Sequence, residues 1–358
     1  MAIKFEFFEA GCGDSILVST DEGTNILIDG GVASTYKNEI SYSLDKLYTT
    51  LDLVIVTHID TDHICGIIEL LNDKNRREKI DNFWFNTASE ELTVMVNDSD
   101  EAGGGQGNLL SFFIKTRKIP HKNNIYVDTD LKNNIHYIGR DIKLTLLSPT
   151  KEGLVDLRKS WSENDKLKKC QGSSIEVAGV NPPKDEREIN DLYKDYQNKK
   201  IKFGTKDTPT NTSSIAFILT YQDMEFLFLG DADINVINNS LKKILHSRSK
   251  KRLKVEFVKL SHHGSKKNIN DEFLNLVQSD TFVILTNGTH PNNSTYKHPD
   301  KETLMLILKH QNRAKNVKFV FNHDLPRDKK FPFDMNEEIK YSFRADKKSC
   351  WSSKNEKK

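Results

Sequence analysis

The stretch from Val54 to Gly66, Val-Ile-Val-Thr-His-Ile-Asp-Thr-Asp-His-Ile-Cys-Gly, sets tight limits on what this chain can fold into. Leu53 to Val56 is an apolar, β-branched run suited to a buried strand. It stops at Thr57. His58, Asp60, Asp62 and His63 follow directly, and Ile64 to Leu71 then takes up helical spacing. A strand that turns into a helix through His-x-Asp-x-Asp-His gathers two imidazoles and two carboxylates at the strand's C-terminal end. Carboxylate oxygens mixed with imidazole nitrogens suit Zn²⁺ or Mn²⁺, and a donor set of this size suits two ions rather than one. A turn with a capping Asp would account for one His-x-Asp, but not for four donors behind a buried strand.

Two further strands end in the same kind of residue. Leu227-Phe-Leu-Gly-Asp231-Ala-Asp233 closes on two carboxylates. Asp233 is the better N-cap for a helix starting near Ile234, which leaves Asp231 free to bridge two cations. Val258-Lys-Leu-Ser-His262-His263-Gly-Ser closes on two imidazoles. Adjacent side chains at a strand end diverge, so one of them is expected to bind metal. The other is then left to hydrogen-bond a substrate oxygen or give up a proton. In the polar loop from Asn287 to Pro299, His298 is a candidate substrate-binding imidazole at the cleft rim, with a plain loop as an equal competitor. Gly103-Gly-Gly-Gln-Gly107 lacks the following Lys-Ser/Thr of a phosphate-binding loop and reads as a connection.

Composition narrows the surroundings. The 358 residues are 36% hydrophobic and 29% charged, which predicts long solvated insertions around an ordinary core. A net charge of +2 gives no global field toward nucleic acid or membrane. No apolar run approaches the roughly 20 residues of a membrane span, and the N-terminus has no signal-peptide pattern. Cys12, Cys65, Cys170 and Cys350 form no Cys-x-x-Cys pair and read as reduced thiols of a cytoplasmic protein. Strands alternate with helices in both halves, which predicts two mixed β-sheets packed face to face with helices outside. Residues 1–325 are expected to form one such domain, with a charged insertion at about 151–207. Residues 326–358 are expected to add an edge strand near Tyr341 to Arg344 and a frayed basic tail.

The motifs occur in a telling order: Gly-x-Gly-Asp-Ser (Gly11 to Ser15), Ile-Asp-Gly-Gly (Ile28 to Gly31), Thr-His-x-Asp-x-Asp-His (Thr57 to His63), Asn-x-Ser-Ser-Ile (Asn211 to Ile215), Leu-Gly-Asp-Ala (Leu229 to Ala232), Ser-His-His-Gly-Ser (Ser261 to Ser265) and His298-Pro299. This set resembles the metallo-β-lactamase superfamily, and within it the ComEC-type branch, here in a free-standing form without a channel domain. The resemblance implies an αββα sandwich and a two-metal centre. His58 and Asp60 would serve one ion, Asp62 and His63 the other, Asp231 would bridge, and His263 rather than His262 would complete the second site. Many superfamily members carry a histidine where this chain has Asn211-Thr-Ser-Ser, which leaves the first ion one protein ligand short.

Two divalent ions sharing a carboxylate lower the pKa of a water between them from about 15.7 toward 7 and offset charge on a phosphodiester. His262 or His298 would hold the phosphate or protonate the leaving oxygen. The expected activity is therefore a metal-dependent phosphodiesterase or nuclease. Lys259, Lys266, Lys267, Lys297 and the run Lys242 to Lys254 are expected to form a basic rim for nucleic acid. The alternatives are hydrolysis of a small phosphodiester, cyclic nucleotide or lactone, and a non-catalytic subunit working with a protein partner in a multi-component system.

Overall fold

In the second half of the chain, side chains alternate between two apolar surroundings: Phe226, Phe228 and Phe257 face one, Leu227, Leu229 and Val258 the other. Strands buried on both faces must lie inside a layered structure. The computed structural model describes residues 2–47, 49–89, 105–164, 187–288, 298–324 and 335–353. Seven strands form one sheet, in the order Cys350–Ser352, Ile3–Phe7, Ile16–Thr20, Asn25–Ile28, Leu53–Ile55, Phe83–Trp84, His121–Lys122. Eight form the other: Phe343–Lys347, Val317–Phe321, Thr281–Ile284, Phe257–Lys259, Met224–Phe228, Ala216–Tyr221, Ile142–Ser148, Ile135–Ile138.

The sheets face each other across a core that draws on both. At its centre the Phe5 ring lies 4.6 Å from Phe226, 5.0 Å from Phe257 and 5.7 Å from Trp351. Helices Thr61–Asn72 and Gln106–Thr116 pack Ile64, Ile67, Leu71, Leu110 and Ile114 into the outer core of the first sheet. Helices Ile234–Ser247, Asp271–Leu276 and Lys301–Lys309 do the same for the second. The expected sandwich of two mixed sheets between helical layers is what the chain forms.

Strand direction then places the chemistry. Asn25–Ile28, Leu53–Ile55 and Phe83–Trp84 run parallel, as do Met224–Phe228, Phe257–Lys259 and Thr281–Ile284. Their C-terminal ends therefore line one edge of each sheet, where open α/β sheets place ligands.

Three stretches differ from expectation. The segment from 151 begins with helix Lys151–Asn164, which buries Leu154, Leu157 and Trp161 against the first half. Helix Ile189–Gln197 buries Ile189 and Leu192 beside the second sheet. Both ends of the charged region thus pack on the body, while residues 165–186, with Cys170, lie outside the described residues. The C-terminal segment supplies two edge strands, one on each sheet, and Trp351 enters the central core. Among the described residues no helix is long and apolar enough to cross a membrane.

Candidate metal centre

Helix Thr61–Asn72 begins with Asp60 as its N-cap. An Asp there ordinarily spends its carboxylate on the first free N–H groups. Here it makes no such bond, and Asp60 Oδ2 lies 3.6 Å from His58 Nε2. At the end of Met224–Phe228 the division of labour is the expected one. Asp233 caps the next helix by accepting from Asn235 N at 2.7 Å, and Asp231 is left facing the ligands.

Asp231, only 2% exposed, stands between two groups of donors. Its Oδ2 is 3.6 Å from His58 Nε2 and 3.8 Å from His262 Nε2. Its Oδ1 is 3.7 Å from His63 Nε2. Across from it, His263 Nε2 is 3.4 Å from Asp62 Oδ2. Donors around a tetrahedral ion with bonds of about 2.1 Å sit about 3.4 Å apart, so these separations suit cations. Among the described residues, the buried His58 Nε2, His63 Nε2 and Asp231 Oδ1 have no hydrogen-bond partner. Buried polar atoms seldom stay unpaired, and three converging ones fit a metal ion. The residues present fit the group that the fold implies.

Each ring is aimed from its far side. Thr57 Oγ1 lies 3.1 Å from His58 Nδ1, Asp29 Oδ2 2.9 Å from His63 Nδ1, Asp207 Oδ2 2.9 Å from His262 Nδ1, and the Leu285 carbonyl 2.8 Å from His263 Nδ1. Partners on Nδ1 leave Nε2 for the centre, the arrangement by which metal-ligating histidines are oriented. Asp29 also accepts from Thr57 N and Thr57 Oγ1, both at 2.7 Å, tying its strand to the ligand loop. Asp29, His262 and His263 all sit at positive φ (56°, 47° and 51°), each costing about 1–3 kcal/mol of backbone strain that the surrounding fold must hold.

Charge tells the same story. Burial opposes protonation of His58, yet Asp231, Asp60 and Asp29 outweigh it and push its pKa up to about 9. Burial likewise opposes charge on His263, and Asp14 and Asp231 raise it well above the usual imidazole range. Burial would raise Asp231, but His262, His63, His58 and His263 hold it well below the carboxylate range. Carboxylates that drive His58 and His263 to take up protons against burial demand positive charge.

The structure brings together every residue singled out from the sequence for the centre: His58, Asp60, Asp62, His63, Asp231, His262, His263 and His298. His298 lies with its ring 5.0 Å from His262 and 6.4 Å from His263. Burial, with those two rings alongside, holds it well below the usual imidazole range. His262 is placed differently from expectation. Its Nε2 meets the same Asp231 oxygen as His58, where the first ion was expected to lack a ligand. Asn211 lies next to it, with Nδ2 3.4 Å from His262 Nδ1. Asp207 and Asp14 are not among the residues expected at the site, and Lys259, expected at its rim, is buried behind it.

The expected basic rim is not built as predicted. Helix Ile234–Ser247 starts beside Asp231 and places Lys242 about 12 Å further along its axis, with the rest of the run beyond it. Lys242 pairs with Glu272, Arg248 with Glu225 at 2.8 Å, and Arg252 donates to the carbonyls of Leu274 and Val277. Lys259 is buried, Lys266 pairs with Glu302 at 2.8 Å, and Lys267 faces Asp207 at 3.6 Å. Lys297 lies outside the described residues.

Residues 11–77 match the family model of the Metallo-beta-lactamase superfamily. The match covers Asp14, Asp29 and the His58 to His63 stretch, and the two flanked mixed sheets are consistent with the metallo-β-lactamase fold. Among the solved structures that align along nearly the whole chain are the following three. The metallo-beta-lactamase fold protein YhfI from Bacillus subtilis shares 11% identity at a TM-score of 0.43, covering 98% of this chain and 99% of that one. Zn(2+)-bound PqqB from Methylobacterium extorquens shares 10% at 0.44, covering 98% and 99%. A diphosphatase from the PhnP family shares 10% at 0.41, covering 96% and 94%. No curated protein matches the sequence.

Proposed function

We propose that this protein is a metal-dependent phosphodiesterase of the metallo-β-lactamase superfamily, with nucleic acid as its substrate class. The observation that carries the reading is the buried trio of His58, His63 and Asp231, whose ligand atoms all lie within 4.8 Å of one another, with His262 on Asp231 Oδ2 and the His263–Asp62 pair alongside. His58, Asp60, His262 and Asp231 Oδ2 would hold one ion; His63, Asp62, His263 and Asp231 Oδ1 would hold the other. Bound divalent ions supply an activated water and offset charge on the phosphoryl oxygens. The chain's own part is positioning. Asp231 fixes the spacing of the two groups, and Asp29 and Asp207 aim His63 and His262. His298, beside His262, would hydrogen-bond a substrate oxygen. The serines flanking the histidines are engaged elsewhere. Ser261 Oγ donates to the Ala232 carbonyl at 3.0 Å, and Ser265 Oγ accepts from Lys267 N at 3.3 Å. Among the described residues neither hydroxyl is hydrogen-bonded to a base, which favours attack by water over a covalent intermediate.

The resemblance of the motif order to the ComEC-type branch supports a polymeric substrate. The dispersal of the basic run supports a second reading, a small phosphodiester. One experiment separates them: labelled single- and double-stranded DNA and RNA, and bis-p-nitrophenyl phosphate, incubated with Mn²⁺, Zn²⁺ or EDTA, with Asp62→Ala as control. Metal-dependent cutting of a polymer that the variant lacks supports the nuclease reading. Hydrolysis of the small ester alone moves the assignment to the second reading, and inactivity on all of them rejects both.

Asp207 tests the ligand assignment separately. Asp207→Ala removes the partner of His262 Nδ1 and is expected to weaken one of two Zn²⁺-binding events by about 10–100-fold while sparing the other. Calorimetric titration of the metal-free protein reads this directly. Two unchanged binding events would return His262 to a substrate-binding role.

A further inference from the structure

Strand Phe257–Lys259 turns Phe257 into the core between the sheets, Val258 to the outer core, and Lys259 back inward. Lys259 is 1% exposed, among the largest fully buried side chains of the protein. Its ammonium pairs with Asp14, 2% exposed, which the turn before strand Ile16–Thr20 brings in from the opposite sheet. Lys259 Nζ also donates to the Gly230 carbonyl at 3.4 Å, one residue before Asp231. Asp14 in turn reaches the centre: Oδ1 is 3.2 Å from His263 Nδ1 and Oδ2 is 4.0 Å from His63 Nδ1.

Stability alone does not account for such a pair. Taking two charges out of water costs several kcal/mol each, and apolar residues of similar size often serve as well or better. The pair touches what an apolar substitute could not serve, namely two imidazoles from different halves of the chain and the backbone leading into the shared carboxylate. The Leu285 carbonyl already fixes which nitrogen of His263 carries the proton. What Asp14 adds is negative charge behind that ring, and a carboxylate behind a ligating imidazole strengthens it as a ligand. Lys259 is then the counter-charge that lets a carboxylate stay ionised in the interior without itself drawing in a metal ion.

We propose that Asp14 and Lys259 form a buried positioning pair that strengthens His263 as a metal ligand and ties the two ligand-bearing halves together. The proposal rests on the metal-centre reading above and is independent of which substrate is cut.

The test is a double-mutant cycle of Asp14→Asn, Lys259→Met and their combination, read by thermal unfolding of the metal-free proteins and by Zn²⁺ affinity in competition with a chelator. Each single variant leaves a lone buried charge and is expected to lose stability, and the double variant should recover most of it. Zn²⁺ affinity is expected to behave otherwise. In the double variant one of two sites stays about 10–100-fold weaker, because His263 has lost the charge behind it. The d–d absorption of the Co²⁺-substituted double variant should shift from that of the parent. If the double variant does not fold, the near-isosteric Asp14→Asn alone carries the affinity measurement, with the same expected loss. A variant that binds two Zn²⁺ as tightly as the parent, with an unchanged Co²⁺ spectrum, overturns the proposal. So does a parent protein that binds no metal. A parent that binds two ions and hydrolyses no phosphodiester leaves the pair's role standing and rejects only the phosphodiesterase reading.

Discussion

Replacing Asp231 with asparagine is expected to leave the protein folded and to lower metal-dependent hydrolysis of bis-p-nitrophenyl phosphate by about 10³-fold or more. The size of the effect follows from geometry. Asp231 is the residue that meets both donor groups, Oδ2 facing His58 and His262 and Oδ1 facing His63. A carboxamide keeps the shape but removes the charge, and its nitrogen cannot serve as a metal ligand. One of the two ions then loses its anchor, and with it the spacing between them. Folding should survive because neither side-chain oxygen of Asp231 supports secondary structure. The contacts that hold its loop are made by others, Ser214 Oγ accepting from Asp231 N at 3.1 Å and Asn268 Nδ2 donating to the Asp231 carbonyl at 3.2 Å. Metal content by elemental analysis should fall from two equivalents toward one, with an unchanged circular dichroism spectrum. Activity within tenfold of the parent, with two ions still bound, would remove Asp231 from the bridging position.

Much of this centre was readable because its residues sit where strands end. A β-branched run followed by His58, Asp60, Asp62 and His63, or Leu-Phe-Leu followed by Gly230 and Asp231, announces both the element and its cargo. What sequence concealed has physical reasons. Asp207 reaches His262 only because the charged segment folds back before Thr208 caps the short helix Pro209–Thr212, and nothing near Asp207 in the chain signals that return. Sequence alone puts Lys259 at a rim because lysine is seldom buried. The alternation Phe257, Val258, Lys259 does point it inward, but a partner 245 positions earlier is invisible to local pattern. Helix Lys151–Asn164 was missed although Leu154, Leu157 and Trp161 keep helical spacing, because the charged residues between them dominate the composition. The basic run from Lys242 shows the opposite error. Charge density along the chain suggests a surface beside the site, whereas the helix that begins the run leads away from Asp231, and Lys242, Arg248 and Arg252 find partners there.

The Gly-Gly of Ile28 to Gly31 leads to the second large effect, expected for Gly66→Ala. Helix Thr61–Asn72 crosses the end of strand Asn25–Ile28 at backbone distance: Gly30 N donates to the His63 carbonyl at 2.7 Å and Gly66 N to the Gly31 carbonyl at 3.2 Å. A Cβ placed on Gly66 would lie 1.9 Å from the Gly30 carbonyl oxygen and 2.8 Å from its carbon. That contact is with backbone, so no rotamer relieves it, and the helix must move off the strand. Overpacking of this kind costs about 1–3 kcal/mol or more. The displaced helix also carries Asp62 and His63 in its first turn, and His63 Nδ1 would be drawn from Asp29, 2.9 Å away. Gly66→Ala should therefore lower the unfolding temperature of the metal-free protein by several degrees and weaken metal binding as well, although residue 66 touches no ligand. Gly23→Ala is the comparison, since nothing lies within 4 Å of its Cβ. Its φ of 90° strains an alanine locally, so it should cost stability while leaving metal affinity unchanged. Equal loss of metal affinity in both variants would show that Gly66 acts through general stability. A loss confined to Gly66→Ala would show that the close crossing of helix and strand is what holds Asp62 and His63 in the centre.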